Sequence, residues 1–413
     1  MSLTPLPTAR KAALDALRPA PPEPVPLLEA LGRFLARDVV ASRSLPGCPV
    51  SAMDGYAVRA EETSGANRDR PARLRVVDAI YAGHLPSRPV RPGEASRIFT
   101  GAPLPEGANA VVRQEATVVS GEGLVDICVA VPPGKDIRPV GEDLLAGTPL
   151  LRAGQRLEAS VLGLLASLGD THVLVRPPPR VAVLATGDEL VPPGSPALPH
   201  QVYESNLVLV GAMAREAGAR VVALERARDE DQELRAALER LAGGADVLVT
   251  TGGASVGDKD RVKRVLAGLG ATFLVDGVAM KPGKPVAVAR LGTTAVVVLP
   301  GTPGAATVAF DQLARPLLLR HQGVTEERQR LRVRLDEGRD KQAGLTYLIS
   351  ASLEFREDGQ VWTRLRQQGG GHMLQNIGAE GYAVLPPGRA DFASGDTVDF
   401  ERFDHPRHLP VEP

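Results

Sequence analysis

Glycine, acidic and lysine residues gather between Asp246 and Gly304 in a pattern that suits phosphate binding. The apolar run 247–251 is followed by Gly252-Gly253-Ala254-Ser255-Val256-Gly257 and by a helix-like segment, residues 258–266. A strand, a loop of small residues and a helix N-terminus form an anion cradle, because unpaired backbone N–H groups and the helix dipole both favour negative charge. We expect Gly252, Gly253, Ser255 and Gly257 to contact a ligand. A purely structural β-to-α turn is the alternative interpretation.

This loop differs from the two common phosphate-binding loops. It fits G-x-x-x-x-G, but Asp258-Lys259 follows where a P-loop has Lys and then Ser or Thr, and it contains no G-x-G-x-x-G. Carboxylates beside a phosphate site usually hold a divalent cation. The sequence therefore predicts a phosphate-binding site that holds a metal ion and whose loop is neither a P-loop nor a G-x-G-x-x-G loop.

Two proline-stiffened loops follow the glycine-rich loop. They are Lys281-Pro282-Gly283-Lys284-Pro285 and Leu299-Pro300-Gly301-Thr302-Pro303-Gly304. Lysine occurs only seven times in the chain, and four of the seven lie in this stretch. That placement suits a need for compact point charges, although chance clustering is the alternative. We interpret the three loops together as one ligand site.

The elements that must position these loops alternate between strand-like and helix-like patterns from Arg180 onward. This alternation predicts a mostly parallel sheet covered by helices on both faces. Ligands bind such sheets at the carboxyl ends of the strands. Three acidic residues, Glu189, Asp229 and Asp260, would share that edge with Thr186 and the three loops. Any one of them alone would suit a helix cap or a solvated surface, but together they predict a cation site.

The rest of the chain shows weaker patterns. Residues 8–18 and 27–38 read as two helices on either side of a proline tract, and residues 157–168 carry a helical apolar stripe. Short strand-like runs between residues 74 and 131 predict a small β domain, and those after Arg332 predict a small barrel or sandwich. Asp54-Gly55 is either a hairpin turn or the position of a functional carboxylate.

Composition bounds the class of protein. The chain has 413 residues, which predicts two to four domains, and a net charge of −1, which excludes a basic field for nucleic acid. Cys48 and Cys128 are too few for a zinc site or a disulfide framework, so we expect a reducing compartment. The N-terminus has no apolar signal region, and no apolar run reaches the roughly 18 residues of a membrane span. We expect a cytoplasmic protein that binds neither nucleic acid nor membrane.

Several motifs, taken in order, resemble those of a known family. They are Ser51-Ala52-Met53-Asp54-Gly55-Tyr56-Ala57-Val58, Thr100-Gly101-Ala102, Gly141-Glu142-Asp143, Thr186-Gly187-Asp188-Glu189-Leu190, the glycine-rich loop and Lys281-Pro282-Gly283-Lys284-Pro285. The chain resembles the molybdopterin molybdenumtransferases of the MoeA type and is similar to the E domain of gephyrin. The resemblance covers nearly the whole chain.

The resemblance implies a multidomain α/β plus β fold and a homodimer of elongated four-domain subunits. Residues 1–46 and 146–179 would form a split helical and linker domain, and residues 47–145 the small β domain. Residues 180–325 would form a doubly wound parallel-sheet domain that binds the pterin nucleotide and resembles the molybdopterin adenylyltransferase fold. Residues 326–413 would form a C-terminal β-barrel.

The resemblance also implies an activity. The family inserts molybdate into adenylylated molybdopterin and releases AMP, with a Mg²⁺-type cation. Glu189, Asp229 and Asp260 would be catalytic and would hold the metal, while Lys281 and Lys284 would contact phosphate or molybdate. Thr186, Pro300 and Pro303 would line the pterin-nucleotide site. Asp54, Thr100 and Asp143 would complete the site from the other subunit. Molybdopterin adenylyltransferase itself would be a partner.

Three departures from the family pattern leave alternatives open. Where the family usually has Leu-Pro-Gly-Asn-Pro, this chain ends the motif in Thr302-Pro303. The usual Gly-Arg-x-Glu-Phe is replaced by Gly344-Leu345-Thr346-Tyr347-Leu348. The usual Gln-Gly-Ser-Gly is replaced by Gln368-Gly369-Gly370-Gly371. The molybdate side of the pocket would thus lack an amide, an arginine and a hydroxyl group. The alternatives are an adenylyltransferase-like activity, a paralogue that inserts tungstate, and a non-catalytic pterin-binding scaffold.

Overall fold

A computed structural model of the protein describes residues 3–252, 261–366 and 373–403, and the backbone of residues 407–410. Within these ranges, no helix is long and apolar enough to cross a membrane. The α-helices described are, in chain order, α1 (Leu6–Leu14), α2 (Ala159–Ser167), α3 (Asn206–Glu216), α4 (Asp231–Gly244), α5 (Arg261–Gly268), α6 (Pro303–Ala309) and α7 (Arg315–His321). A π-helical segment, Phe310–Ala314, joins α6 to α7.

One compact unit comprises residues 38–151 and 164–169. Its sheet contains β1 (Gly55–Val58), β2 (Ala72–Ile80), β3 (Glu94–Ile98), β4 (Ala110–Arg113), β5 (Thr117–Gly121) and β6 (Leu124–Ile127). The spatial order is β4-β1-β3-β2-β6-β5, and only the β2–β3 pairing is parallel. Tyr56 and Val58 belong to one apolar cluster and Ala57 to another, because successive residues of a strand point to opposite faces. The predicted small β domain is present.

The other unit comprises residues 1–37, 152–163 and 170–413. Its first sheet contains β7 (Arg180–Thr186), β8 (Arg220–Ala227), β9 (Val247–Thr251), β10 (Thr272–Asp276), β11 (Ala287–Leu291) and β12 (Thr294–Leu299), in the order β8-β7-β9-β12-β11-β10. The first four strands are parallel and the last two antiparallel. A two-residue turn joins β11 to β12, and only antiparallel strands accept so short a connection. The sheet is therefore mostly parallel, as predicted, with an antiparallel edge.

Helices cover both faces of this sheet. Val181 and Val183 of β7 lie in the same apolar cluster as residues of α1, α3, α6 and α7. Ala182 and Leu184, which point the other way, pack with residues of α4 and α5. This alternation along one buried strand is what a doubly wound domain requires.

The C-terminal part of this unit is a closed barrel. Its strands are β13 (Arg330–Leu335), β14 (Thr346–Phe355), β15 (Val361–Leu365), β16 (Gly381–Leu385) and β17 (Thr397–Arg402). The ring runs β14-β15-β13-β17-β16 and returns to β14. The short strand Met280–Lys281 adds to β14 in parallel, with Lys281 opposite Tyr347. The Lys281–Pro285 loop therefore starts in a short strand that pairs with the barrel.

The prediction of a helix over residues 27–38 is wrong. Only Leu27–Ala30 forms a single 3₁₀ turn, and Gly32 then adopts a φ of +78° that a helix does not contain. Within the proline tract, Glu23–Pro26 pairs with His172–Val175 as a two-stranded ladder. Prolines are tolerated there because each strand has a free edge.

Other short strands complete the described secondary structure. They are Val39–Val40, Val50–Ser51, Ile137–Arg138, Pro149–Leu151, Leu190–Val191, Val202–Tyr203, Val324–Glu327, Arg339–Asp340, Asp391–Phe392 and Arg407–Pro410. They form two-stranded ladders. The 3₁₀ turns Ala60–Thr63, Gln114–Ala116 and Met373–Asn376 lie in connections between strands.

Candidate active site

A cavity of about 470 Å³ lies at the carboxyl ends of β7, β9 and β12. This is the edge at which parallel α/β sheets bind ligands. The residues that line it are Thr186, Glu189, Leu190, Asn206, Thr251, Gly252, Pro285, Pro300, Gly301, Thr302 and Ala305. The start of the glycine-rich loop and both proline loops therefore meet at one cavity. Of the site residues predicted from sequence, Thr186, Glu189, Gly252 and Pro300 line it directly.

Close backbone contacts require a glycine at position 252 of the cavity wall and favour one at position 301. Gly252 has a φ of +86°, and a Cβ there would lie 2.1 Å from the carbonyl oxygen of Thr186. A Cβ on Gly301 would lie 3.3 Å from the Cα of Gly252. The ends of three adjacent strands can approach this closely only without side chains. Gly252 thus lets the ends of β9 and β7 approach closely in the cavity wall.

Carboxylates follow the ends of the neighbouring strands β7 and β8. The hydroxyl of Thr186 donates to Oδ1 of Asp229 at 2.5 Å, and the backbone N–H of Asp229 donates to Oδ1 of Asp188 at 3.2 Å. The carboxylate of Glu189 folds over Gly187, where a Cβ would lie 2.8 Å from Oε1. Glu189 and Asp229 therefore lie at the same edge, as the sequence predicts, and Thr186 orients one of them.

Sequence reasoning missed Asn206, the first residue of α3. Its Nδ2 donates to the carbonyl oxygen of Gly301 at 2.7 Å, while its buried Oδ1 has no partner among the described residues. Nearby, the carboxylate of Glu204 accepts from the Leu207 N–H, and burial raises the pKa of this carboxyl group. An asparagine at a helix start normally caps the helix, so its spacing gave no functional signal.

Neither of the two lysines predicted to meet an oxyanion is among the residues that line this cavity. Lys281 belongs to the strand that pairs with the barrel, and its Nζ lies 5.2 Å from the ring centroid of Tyr347. Lys284 is exposed, and Pro285 beside it lines the cavity. Pro303 is the first residue of α6. Their proposed contacts with a ligand remain predictions.

Asp54, Thr100 and Asp143 lie in the unit that contains the small β domain. Asp54 accepts hydrogen bonds from the backbone N–H and the hydroxyl of Thr100, each at 2.8 Å. These bonds lower the pKa of Asp54. Asp143 forms an ion pair with Arg138 at 2.5 Å. Thr100 therefore orients the Asp54 carboxylate, and the functional role of Asp54 stays a prediction.

Part of the predicted site lies outside the described residues. Gly253, Ser255, Gly257 and Asp260 all fall in residues 253–260. In the remainder that the structure describes, no group of three metal-ligating side chains is found. The three-carboxylate metal site, which includes Asp260, remains a prediction.

Of the three departures from the family pattern, two lie in described residues. Thr302 precedes α6 and lines the cavity, but its side chain makes no capping hydrogen bond. Leu345 is buried in the barrel. Residues 368–371 fall outside the described ranges, and Arg366 just before them donates to the carbonyl oxygen of Gly378 at 2.9 Å.

Family models match almost the whole chain. Residues 4–169 match the MoeA N-terminal region (domain I and II), residues 182–320 a probable molybdopterin binding domain, and residues 332–403 the MoeA C-terminal region (domain IV). The three matches follow the order of the elements described above.

Individual proteins give the same result. A molybdopterin molybdenumtransferase 2 of Mycobacterium tuberculosis is 43% identical over 324 residues, which cover 77% of this chain and 79% of that protein. A molybdopterin molybdenumtransferase of Nostoc is 33% identical over 416 residues, covering 96% and 93%. The crystal structure of a molybdopterin biosynthesis MoeA protein from Pyrococcus horikoshii superposes with a TM-score of 0.84 at 30% identity, covering 98% of this chain and all of that one. The chain belongs to the molybdopterin molybdenumtransferase family.

Proposed function

We propose that this protein inserts molybdate into adenylylated molybdopterin and releases AMP. One observation carries the proposal: Gly252 at the start of the glycine-rich loop, both proline loops and an acidic strand end meet at one cavity. A pterin dithiol that carries a phosphoanhydride needs such a set of groups. Glycine backbone accommodates the phosphates, lysines stabilise the oxyanion, and carboxylates hold a cation.

The two half-reactions balance in this proposal. Forming two Mo–S bonds from a dithiol and MoO₄²⁻ releases one water. Cleaving the phosphoanhydride consumes one water and yields AMP and the pterin phosphate. Coupling them in one cavity lets favourable anhydride cleavage drive metal insertion. The enzyme needs to hold both reactants in place and to neutralise their charge.

We propose that the acidic edge holds Mg²⁺. Glu189 and Asp229 offer the hard oxygen ligands that this ion prefers, and the Thr186 hydroxyl orients Asp229 at 2.5 Å. Asp260 would supply the third carboxylate. If so, Thr186→Val should raise the Mg²⁺ concentration for half-maximal AMP release by about tenfold or more, as loss of a ligand-orienting group does. Asp229→Asn should raise it further.

Asp231→Asn is the matched control for the metal experiment. Asp231 is a neighbouring exposed carboxylate that pairs with Arg264, whereas Asp229 accepts the hydrogen bond from Thr186. Its Mg²⁺ dependence should equal that of the wild type. If the Thr186 and Asp229 variants also show the Mg²⁺ dependence of the wild type, a metal at the acidic edge is excluded.

We further propose a cytoplasmic homodimer in which Asp54, Thr100 and Asp143 complete the site from the partner subunit. The family resemblance and the oriented, ionised Asp54 support this. The substrate of the proposed reaction carries a phosphoanhydride, which an adenylyl-transfer reaction must form. Molybdopterin adenylyltransferase is therefore the proposed partner for substrate delivery.

AMP release from adenylylated molybdopterin, measured with and without molybdate, tests the proposed function. An insertion enzyme releases AMP in a molybdate-dependent way and yields the molybdenum cofactor. An adenylyltransferase would form the adenylate from molybdopterin and ATP, whereas a scaffold would bind the pterin without turnover. Either of the last two results would refute the proposal.

A further inference from the structure

Two lysines converge on one tyrosine where the barrel meets the Lys281–Pro285 loop. The Nζ atoms of Lys281 and Lys341 lie 5.2 and 5.3 Å from the ring centroid of Tyr347. Both distances are within the roughly 6 Å range of a cation–π interaction. The chain has 41 arginines but only seven lysines. Two of those seven at one ring indicate a specific arrangement.

The ring of Tyr347 is held rigidly. Its side chain is buried in the barrel core, and its hydroxyl accepts a hydrogen bond from the backbone N–H of Gln342 at 3.1 Å. The backbone of Tyr347 pairs with Lys281 on one side and with Leu385 on the other. The ring is thus a fixed surface against which a flexible lysine side chain can rest.

Lys281 has no carboxylate within 4.0 Å of its Nζ in the part of the chain that the structure describes. A carboxylate partner would orient this ammonium group but would also cancel the charge that an oxyanion needs. An aromatic ring orients the group and leaves its full charge available. The contact with Tyr347 can therefore orient the Lys281 ammonium group without neutralising its charge, which an ion pair cannot do.

Lys341 adds positive charge from inside the barrel. It is 8% exposed, and its Nζ donates to the carbonyl oxygen of Leu345 at 2.8 Å. Burial lowers the pKa of Lys341, and the neighbouring Tyr347 opposes that change. Because its polar contacts are carbonyl oxygens, Lys341 does not recruit a carboxylate to this corner of the site.

We propose that Tyr347 is a positioning residue that holds the Lys281 ammonium group ready for an oxyanion, with Lys341 supporting the positive potential. The proposal rests on the proposed function, since it takes Lys281 as a ligand for molybdate. It adds a barrel residue to the site and assigns it a physical task. The shape of the ring is secondary to the negative charge of its face.

The test changes the charge of the ring face while keeping its shape. Tyr347→Phe retains the ring face, and pentafluorophenylalanine at position 347 keeps nearly the same shape but loses the negative face. Calorimetric titration of the full chain with sodium molybdate should show Tyr347→Phe within about threefold of the wild type. The pentafluoro variant should bind about threefold to tenfold more weakly than Tyr347→Phe, as expected for a cation–π contact. Tyr81→Phe, at an exposed tyrosine in the other unit, is the control.

A double mutant separates positioning from a structural effect. In a Lys281→Met background, the pentafluoro substitution should have no further effect on molybdate binding, because the group it positions is gone. An independent measurement uses ¹³C reductive methylation of the seven lysines. The Lys281 signal, assigned by its loss in Lys281→Arg, should show an upfield ring-current shift in the wild type and lose it in Tyr347→Leu.

The outcomes distinguish this inference from the proposed function. If the wild type binds molybdate more tightly than Lys281→Met but the ring variants all bind equally, the positioning role is wrong and the ligand role stands. The positioning role is also wrong if the pentafluoro substitution lowers molybdate affinity equally in the wild-type and Lys281→Met backgrounds. If wild type and Lys281→Met bind equally, the ligand role of Lys281 fails, and the positioning role fails with it.

Discussion

Gly252 and Gly270 form a natural pair for testing whether the end of β7 belongs to the active site. Their φ angles are nearly identical, at +86° and +84°. A Cβ on Gly252 would lie 2.1 Å from the Thr186 carbonyl oxygen, whereas one on Gly270 meets no described atom within 4 Å. Replacing each by alanine therefore applies the same backbone strain and differs only in the contact at the cavity.

The structure sets the size of both effects. Alanine in the left-handed region costs about 1–2 kcal/mol, which for a domain of this size is about 2–8 °C in Tm. Gly270→Ala should show that loss and near-normal activity. In Gly252→Ala, a contact below 3.0 Å must be relieved, so one backbone moves by at least 0.9 Å, the difference between 3.0 and 2.1 Å. A displacement of about 1 Å at a reacting centre costs about 100-fold in rate.

The measurement combines thermal melting with molybdate-dependent AMP release from both variants. Gly252→Ala should lose more stability than Gly270→Ala and about 100-fold in activity, while Gly270→Ala keeps activity within about twofold. If both variants retain the same activity, then the contact between Gly252 and Thr186 does not shape the site. Thr186→Val, which keeps the backbone and removes the hydroxyl group, separates backbone displacement from loss of the Asp229 contact.

Three further predictions concern the dimer, molybdate and pH. Mixing Asp54→Ala with Glu189→Ala subunits should restore one of two sites; no recovery in proven heterodimers would contradict the shared site. Calorimetry should show near-normal binding of adenylylated molybdopterin but weak molybdate binding, carried by Lys281, Lys284 and Arg366; affinity equal to that of a relative with every motif would contradict this. Burial alone would raise the pKa of Glu326, but its ion pairs with Arg315 and Arg328 lower it below 4.5. The resulting stabilisation is present above pH 4.5 and is lost as pH falls through the lowered pKa of Glu326. Arg315→Met should weaken this acid loss, and it should cost about 1.5–3 kcal/mol, because Arg328 still pairs with Glu326. Unchanged acid melts in Arg315→Met would refute it.

The α/β domain could be predicted from sequence because its signals are local. Each buried strand is a short apolar run, and each helix has its own periodicity, so alternation alone gives a mostly parallel sheet. The helix expected over residues 27–38 failed for a physical reason. Its leucines have helical spacing, but Leu28 and Leu31 are exposed rather than packed on a core. The left-handed conformation of Gly32 and the backbone bridges from Phe34 and Leu35 are incompatible with a helix there.

The sequence predicted those parts of the candidate site in which a motif follows a strand. It did not predict contacts between residues that are far apart in the chain. Gly252 and Pro300 follow strands, so their position at the sheet edge follows from topology. The pairing of Asn206 with Gly301 joins residues 95 apart. Similarly, Lys281 approaches Tyr347 because a two-residue strand adds to the barrel. No spacing in the sequence encodes either contact.

The barrel also shows why a missing motif residue is not the same as a missing charge. Leu345 stands where the family pattern has arginine, so no guanidinium group can bind molybdate from that position. Yet the carbonyl oxygen of Leu345 accepts a hydrogen bond from the Lys341 ammonium group, which lies buried beside Tyr347. A buried ammonium group cannot contact the anion, but it still contributes potential through a weakly screening interior. In the proposed site, the barrel would therefore attract an oxyanion from a distance, and Lys281 on the ring of Tyr347 would be among the groups that bind it.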